Sequence, residues 1–99
     1  MTAYNAVRFK VKAGKEKAFE DFHRGMDPGF KGFLEGALVK TGERTYCFIG
    51  KWTDFDAIAA ARPQMIGLLD QTRAMLEDFG GGLGMTDPVS GPAVVTFKP

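Results

Sequence analysis

The hydrophobic period of this chain switches between two and about 3.6 in an order that few folds accommodate. Over residues 4–11, Asn5, Val7, Phe9 and Val11 point one way and Ala6, Arg8 and Lys10 the other, the pattern of a half-buried strand. After Ala13-Gly14 the period lengthens. Ala18, Phe19, Phe22, His23 and Met26 recur at helical spacing over residues 15–26, with Glu16, Lys17, Glu20, Asp21 and Arg24 largely on the opposite face. Glu20 and Arg24, four apart with the acid first, form a favourable surface pair. Asp27-Pro28-Gly29 stops the helix, because proline disfavours helical geometry in the residue before it.

Two strands follow, over residues 33–41 and 45–52, and the glycine-bearing Gly42-Glu43-Arg44 between them reads as a hairpin connection. The first sets Leu34 and Leu38 against Phe33, Ala37 and Val39. The second places Tyr46, Phe48 and Trp52 on one side and Cys47 and Ile49 on the other. Thr53 or Asp54 caps a second helix, which Pro63 kinks or restarts. Its stripe continues through Met65, Leu68, Leu69, Thr72, Met75, Leu76 and Phe79 and stops at Gly80-Gly81-Gly82. A loop around Asp87-Pro88 and Ser90-Gly91-Pro92 leads to a last strand over residues 93–97.

Strand, helix, strand, strand, helix, strand predicts an α+β chain of ferredoxin-like βαββαβ topology. Two helices would lie on one face of a four-stranded antiparallel sheet, with residues 1–99 as a single domain. Thirteen basic against twelve acidic residues leave a net charge of +1, so no bulk field draws nucleic acid or anionic lipid. No apolar run approaches the roughly 20 residues that span a bilayer. Cys47 is the only cysteine, which excludes an internal disulfide and a Cys-rich zinc site and suggests a reducing, cytoplasmic setting. No set of His, Cys, Asp and Glu has metal-ligand spacing. The run Gly80-Gly81-Gly82-Leu83-Gly84 follows a helix, whereas a phosphate-cradling loop follows a strand.

Helices enough for one face leave the other face of the sheet substantially apolar. An aromatic side chain buries about 150–250 Å², so two or three uncovered ones approach the roughly 300–600 Å² of a monomer's largest apolar patch. A second copy, sheet to sheet, is the expected remedy. The alternative is that the final strand or the loop before it folds over that face.

The order of elements, with Gly29-Phe30-Lys31-Gly32-Phe33 entering the second strand and Phe48-Ile49-Gly50-Lys51-Trp52-Thr53-Asp54 leaving the third, resembles the antibiotic-biosynthesis-monooxygenase (ABM) group of the dimeric α/β-barrel superfamily. The resemblance covers nearly the whole chain. It implies a homodimer through the open sheet face, with one small cavity per subunit between helices and sheet. It further implies oxygenase activity without metal, flavin or other cofactor on a small aromatic or quinol-like substrate. A non-catalytic binding module of the same fold is the alternative. Phe9, Phe22, Phe48, Ile66 and Leu69 are the apolar side chains expected against a ligand. The haem-degrading branch carries its ligating histidine, with a tryptophan, on the second helix; this chain has neither between Asp54 and Phe79.

Three polar or amphipathic residues are candidates for chemistry. Asn5 matches an asparagine common at this point of the first strand in that family. A carboxamide among Val7, Phe9 and Val11 either steadies a developing oxyanion or bonds neighbouring backbone or water. Trp52 is either a cavity wall or a plug joining strand to helix. His23, the only histidine, is either a general base or axial ligand, or a packed boundary residue. Tyr4, Tyr46 and Cys47 are weaker candidates. Arg62 and Arg73 are placed to meet an anionic substrate, although Asp70 and Glu77 are spaced to pair with Arg73.

Overall fold

The computed structural model describes residues 1–27, 29–82 and 84–99; Pro28 of the expected helix stop and Leu83 of the glycine run lie outside the described residues. The elements run β1 (Ala3–Lys10), α1 (Glu16–Arg24), β2 (Phe33–Gly42), β3 (Thr45–Trp52), α2 (Phe55–Thr72) and β4 (Asp87–Pro92). The strands form one antiparallel sheet in the order β2-β3-β1-β4, the ferredoxin-like arrangement that the periodicities predict.

Register decides which side chains meet the helices. Ala3, Asn5, Val7 and Phe9 of β1 stand opposite Trp52, Gly50, Phe48 and Tyr46 of β3. Cross-strand partners share a face, so all of these point into the core. On β2 the pairing skips Leu34, between Phe33↔Trp52 and Glu35↔Lys51. This bulge corrects the strict alternation expected there: Phe33 now lies on the same side as Leu38 and packs edge-on against Trp52 at 5.1 Å between ring centroids. Gly32, at φ 83°, turns the chain into β2. A Cβ there would sit 2.7 Å from the Ala57 Cβ, so strand entry and helix start approach as only glycine permits.

Asp54 is the cap of α2, its Oδ1 accepting the Ala57 N–H at 2.8 Å. The helix then runs through Pro63 without restarting. Pro63 and Ala59, whose carbonyl would have received the missing N–H, both lie on the exposed side. The helix ends at Thr72 rather than near Phe79. A 3₁₀ turn at Arg73–Met75 follows, and the chain is then drawn alongside the end of β1. The Lys12 N–H donates to the Met75 carbonyl at 2.8 Å and the Glu77 N–H to that of Lys10 at 2.7 Å, while Leu76 is fully buried. Backbone partners from β1 thus replace the last helical turns.

The last strand is also relocated. It is Asp87–Pro92, expected as loop, and not residues 93–97. Strand β4 lies at the sheet edge, where proline is tolerated because half the backbone donors have no ladder partner. Its final pair is Pro92 with Ala3, the first residue of β1, and the Ala93 N–H donates to the Thr2 carbonyl at 2.8 Å. Beyond that point no partner strand remains. Val94, Val95 and Phe97 are exposed, the last at 91%.

Two apolar clusters fill the space between sheet and helices. One joins Ala3, Phe30, Trp52, Ile58 and Ala61, and the other Phe9, Val11, Phe19, Tyr46 and Leu76. The opposite sheet face carries Tyr4, Val39, Ile49 and Val89, all exposed. Among the described residues, no helix is long and apolar enough to cross a membrane.

Candidate functional site

Between the clusters lies a cavity of about 190 Å³, open on one side. Its floor is the sheet, through Asn5, Val7, Phe9 and Phe48; α2 contributes Ile58, Met65, Ile66 and Leu69, α1 contributes Phe22 and His23, and β4 closes one side. All five side chains expected against a ligand, Phe9, Phe22, Phe48, Ile66 and Leu69, are brought together here. Asn5 and His23 join them, and Trp52 does not line the cavity.

Trp52 lies directly behind the wall. It is fully buried, stacked on Phe30 at 5.5 Å and 21°, and its Nε1–H donates to Asn5 Oδ1 at 2.8 Å. An indole N–H only donates, so the carboxamide atom facing it must be the oxygen. The amide nitrogen of Asn5 is therefore turned away from the indole, and among the described residues its one hydrogen-bond acceptor is the weakly accepting Met65 sulfur, at 3.9 Å. The result is a buried N–H donor, held at a fixed orientation in the wall of an apolar cavity.

Gly50 makes this arrangement sterically possible. It stands opposite Asn5 in the ladder, and a Cβ built on it would lie 2.5 Å from Asn5 Oδ1 and 2.9 Å from Trp52 Nε1. The glycine of Phe48-Ile49-Gly50-Lys51-Trp52 thus has a physical function that the motif does not state. Its only sequence signal is a glycine inside an apolar strand, which marks close approach of other groups.

His23 packs among aromatic rings, 4.5 Å from Phe19, 5.4 Å from Phe22 and 6.1 Å from Phe9. Its Nδ1 lies 2.9 Å from the Phe19 carbonyl oxygen. A carbonyl only accepts, so Nδ1 carries the proton and Nε2 keeps the lone pair. Burial holds the imidazole below its ordinary range, partly opposed by the Phe19 carbonyl. At neutral pH the ring is uncharged, with Nε2 available to accept a proton.

The remaining candidates separate cleanly. Tyr46 faces the core away from the cavity and donates its hydroxyl to Glu20 Oε2 at 2.6 Å. Burial, then the adjacent carboxylate, pushes its phenol up to about 12, so it remains a donor. Glu20, expected on a solvated surface, is recruited inward by this contact while still reaching Arg24 at 3.7 Å. Tyr4 and Cys47 point to the open sheet face. Arg73 is taken by Asp70 at 2.6 Å, whereas Glu77 reaches Arg44 and Lys10 instead. Arg62 is exposed and lines the cavity, which puts it at the mouth. Among the described residues no group of three His, Cys, Asp or Glu is placed to hold a metal ion.

No protein-family model and no curated protein matches the chain by sequence. Solved structures match it by shape. A protein of unknown function from Nitrosomonas europaea superposes with a TM-score of 0.77 at 17% identity, covering 99% of this chain and 94% of that one. SnoaB, a cofactor-independent oxygenase from Streptomyces nogalater, does so with 0.72 at 20% identity, covering 99% and 98%. A Chloroflexus aurantiacus protein provisionally described as an antibiotic biosynthesis monooxygenase gives 0.71 at 9% identity, with the same coverage of 99% and 98%. In its βαββαβ architecture the chain is thus similar along its whole length to the antibiotic-biosynthesis-monooxygenase structures, and it has their fold.

Proposed function

We propose that this protein is a cofactor-independent monooxygenase acting on a small aromatic or quinol-like substrate, as a homodimer in the cytoplasm. The observation that carries the reading is the carboxamide of Asn5, fixed by Trp52 so that its N–H group serves an apolar cavity that also holds a neutral histidine. A donor held where negative charge develops stabilises an oxyanion far more in such a site than in water. His23 Nε2 takes a proton from an acidic C–H or O–H of the substrate, and the resulting electron-rich anion is held against Asn5. That anion transfers electrons to dioxygen and forms a carbon–oxygen bond. His23 returns its proton to the resulting peroxide, and loss of the remaining hydrogen from the same carbon cleaves the O–O bond, releasing one oxygen as water and leaving the other as a substrate carbonyl. Trp52 acts through Asn5 and is a positioning residue.

The likeness to SnoaB supports oxygen chemistry, and the exposed apolar sheet face supports pairing of two copies. The test is oxygen uptake against a panel of anthrones and hydroquinones. Consumption that Asn5→Ala and His23→Gln each suppress supports the enzyme. Saturable binding of the panel without oxygen consumption favours a binding module of the same fold.

A further inference from the structure

Four of the five arginines are engaged in ion pairs: Arg8 with Asp87, Arg24 with Asp21, Arg44 with Glu77 and Arg73 with Asp70. Arg62 has no carboxylate within 4.0 Å among the described residues. Its helix places none beside it, since Asp56 and Asp70 lie six and eight positions away. The residues three and four positions away are Ile58, Ala59, Met65 and Ile66, and three of these line the cavity. Among the described residues no acidic side chain lines the cavity, and Arg62 is the only lining residue with a permanent charge. A guanidinium without a partner, at the rim of an apolar pocket, offers a planar pair of donors to an incoming carboxylate or phenolate.

We propose that Arg62 makes the cavity selective for anionic aromatic ligands, with the ring among the apolar walls and the negative charge on the guanidinium at the mouth. The inference rests on the cavity being the ligand site, as proposed above, and narrows its substrate class. The space is compatible with it. An apolar void of about 150 Å³ takes one benzene ring, so about 190 Å³ with an open side takes one ring fully and a second in part. The anion is then held at the opening, where its hydration is only partly lost, while the reacting carbon lies deeper.

The test uses 2-naphthoate and its neutral isostere 2-naphthamide, titrated into the wild-type protein, Arg62→Gln and Arg62→Lys by NMR at low and high salt. The expected result is that wild type prefers naphthoate by about twofold to fivefold, the size of an ion pair at an exposed site. Arg62→Gln should remove the preference, by weakening naphthoate more than naphthamide. Arg62→Lys should retain part of it, and salt should weaken it in both proteins that keep the charge. A naphthoate preference equal in wild type and Arg62→Gln would overturn the role of Arg62 while naphthamide shifts at cavity residues still uphold the site. Failure of both ligands to shift cavity residues would overturn site and selectivity together.

Discussion

The indole N–H of Trp52 meets the carboxamide oxygen of Asn5 at 2.8 Å, across the β1–β3 pair and behind the cavity wall. Because the indole offers no acceptor, this one bond decides which end of the amide serves the cavity. A tryptophan that does not reach the cavity thereby orients a carboxamide that does. Asn5→Ala should lower kcat for a confirmed substrate by about 10²–10³, the usual loss for one oxyanion donor, with KM little changed. Trp52→Phe should lower kcat less, because the amide keeps its place and loses only its fixed orientation. Steady-state kinetics of both variants checks this order.

Gly50 should be as sensitive as a core residue although it has no side chain. Its Cβ would enter the space between Asn5 Oδ1 and Trp52 Nε1. Gly50→Ala should therefore destabilise the fold by about 1–3 kcal/mol, as overpacking does. Urea unfolding measures the loss. Gly67→Ala is the contrast: in the middle of α2, where a Cβ meets nothing within 4 Å, it should raise stability by about 0.5–1 kcal/mol.

His23 makes stability depend on pH with a definite sign. Its folded-state value lies below the ordinary 6.5, so on acidification the unfolded chain takes up this proton first. The stability contributed by the neutral ring is complete above about 6.5 and is lost as pH falls from there to the folded value. Unfolding midpoints at pH 7.5, 6.5 and 5.5 should fall more steeply for wild type than for His23→Gln. The difference between the two series isolates the imidazole from the carboxylates.

Tyr46 titrates in the opposite sense. Its phenol is pushed up to about 12, so the unfolded chain releases this proton first and stability declines as pH rises from about 10 towards 12. Tyrosinate absorbance of the native protein should show one phenol ionising near that upper limit. Tyr46→Phe should abolish the late step.

The open sheet face leads to a prediction about assembly. Tyr4, Val39, Ile49 and Val89 present large exposed apolar groups on a sheet that the helices cover on one side only. Sedimentation at micromolar concentration should report a dimer. Ile49→Glu, at the middle of that face, should shift the protein to monomer while preserving the β-rich circular dichroism.

Much of this is legible in the sequence. Alternation in β1 places Asn5 and Phe9 on the core side, and the helical stripes place Phe22, His23 and Leu69 against the sheet, because burial of one face writes its period into the residues. Where the apolar period ran on, it misled. Leu76 belongs to the buried stripe of α2 by spacing, yet it is buried beside Val11 in extended backbone. Residues 93–97 have strand-like composition, but β1 has ended by then. Asp87–Pro92, rich in turn formers, takes the edge because that is where the unpaired side of β1 lies.

Residue identity by itself determined the kinds of element, their order and most of their inward faces, since these depend on interactions within a few residues along the chain. Tertiary structure alone decided that Trp52 bonds Asn5, that Gly50 must be small, and that, among the described residues, four arginines find carboxylates while Arg62 does not. Those relations join residues as far apart as Asn5 and Trp52 or Arg8 and Asp87. No local pattern records a distance that exists only once the strands have paired.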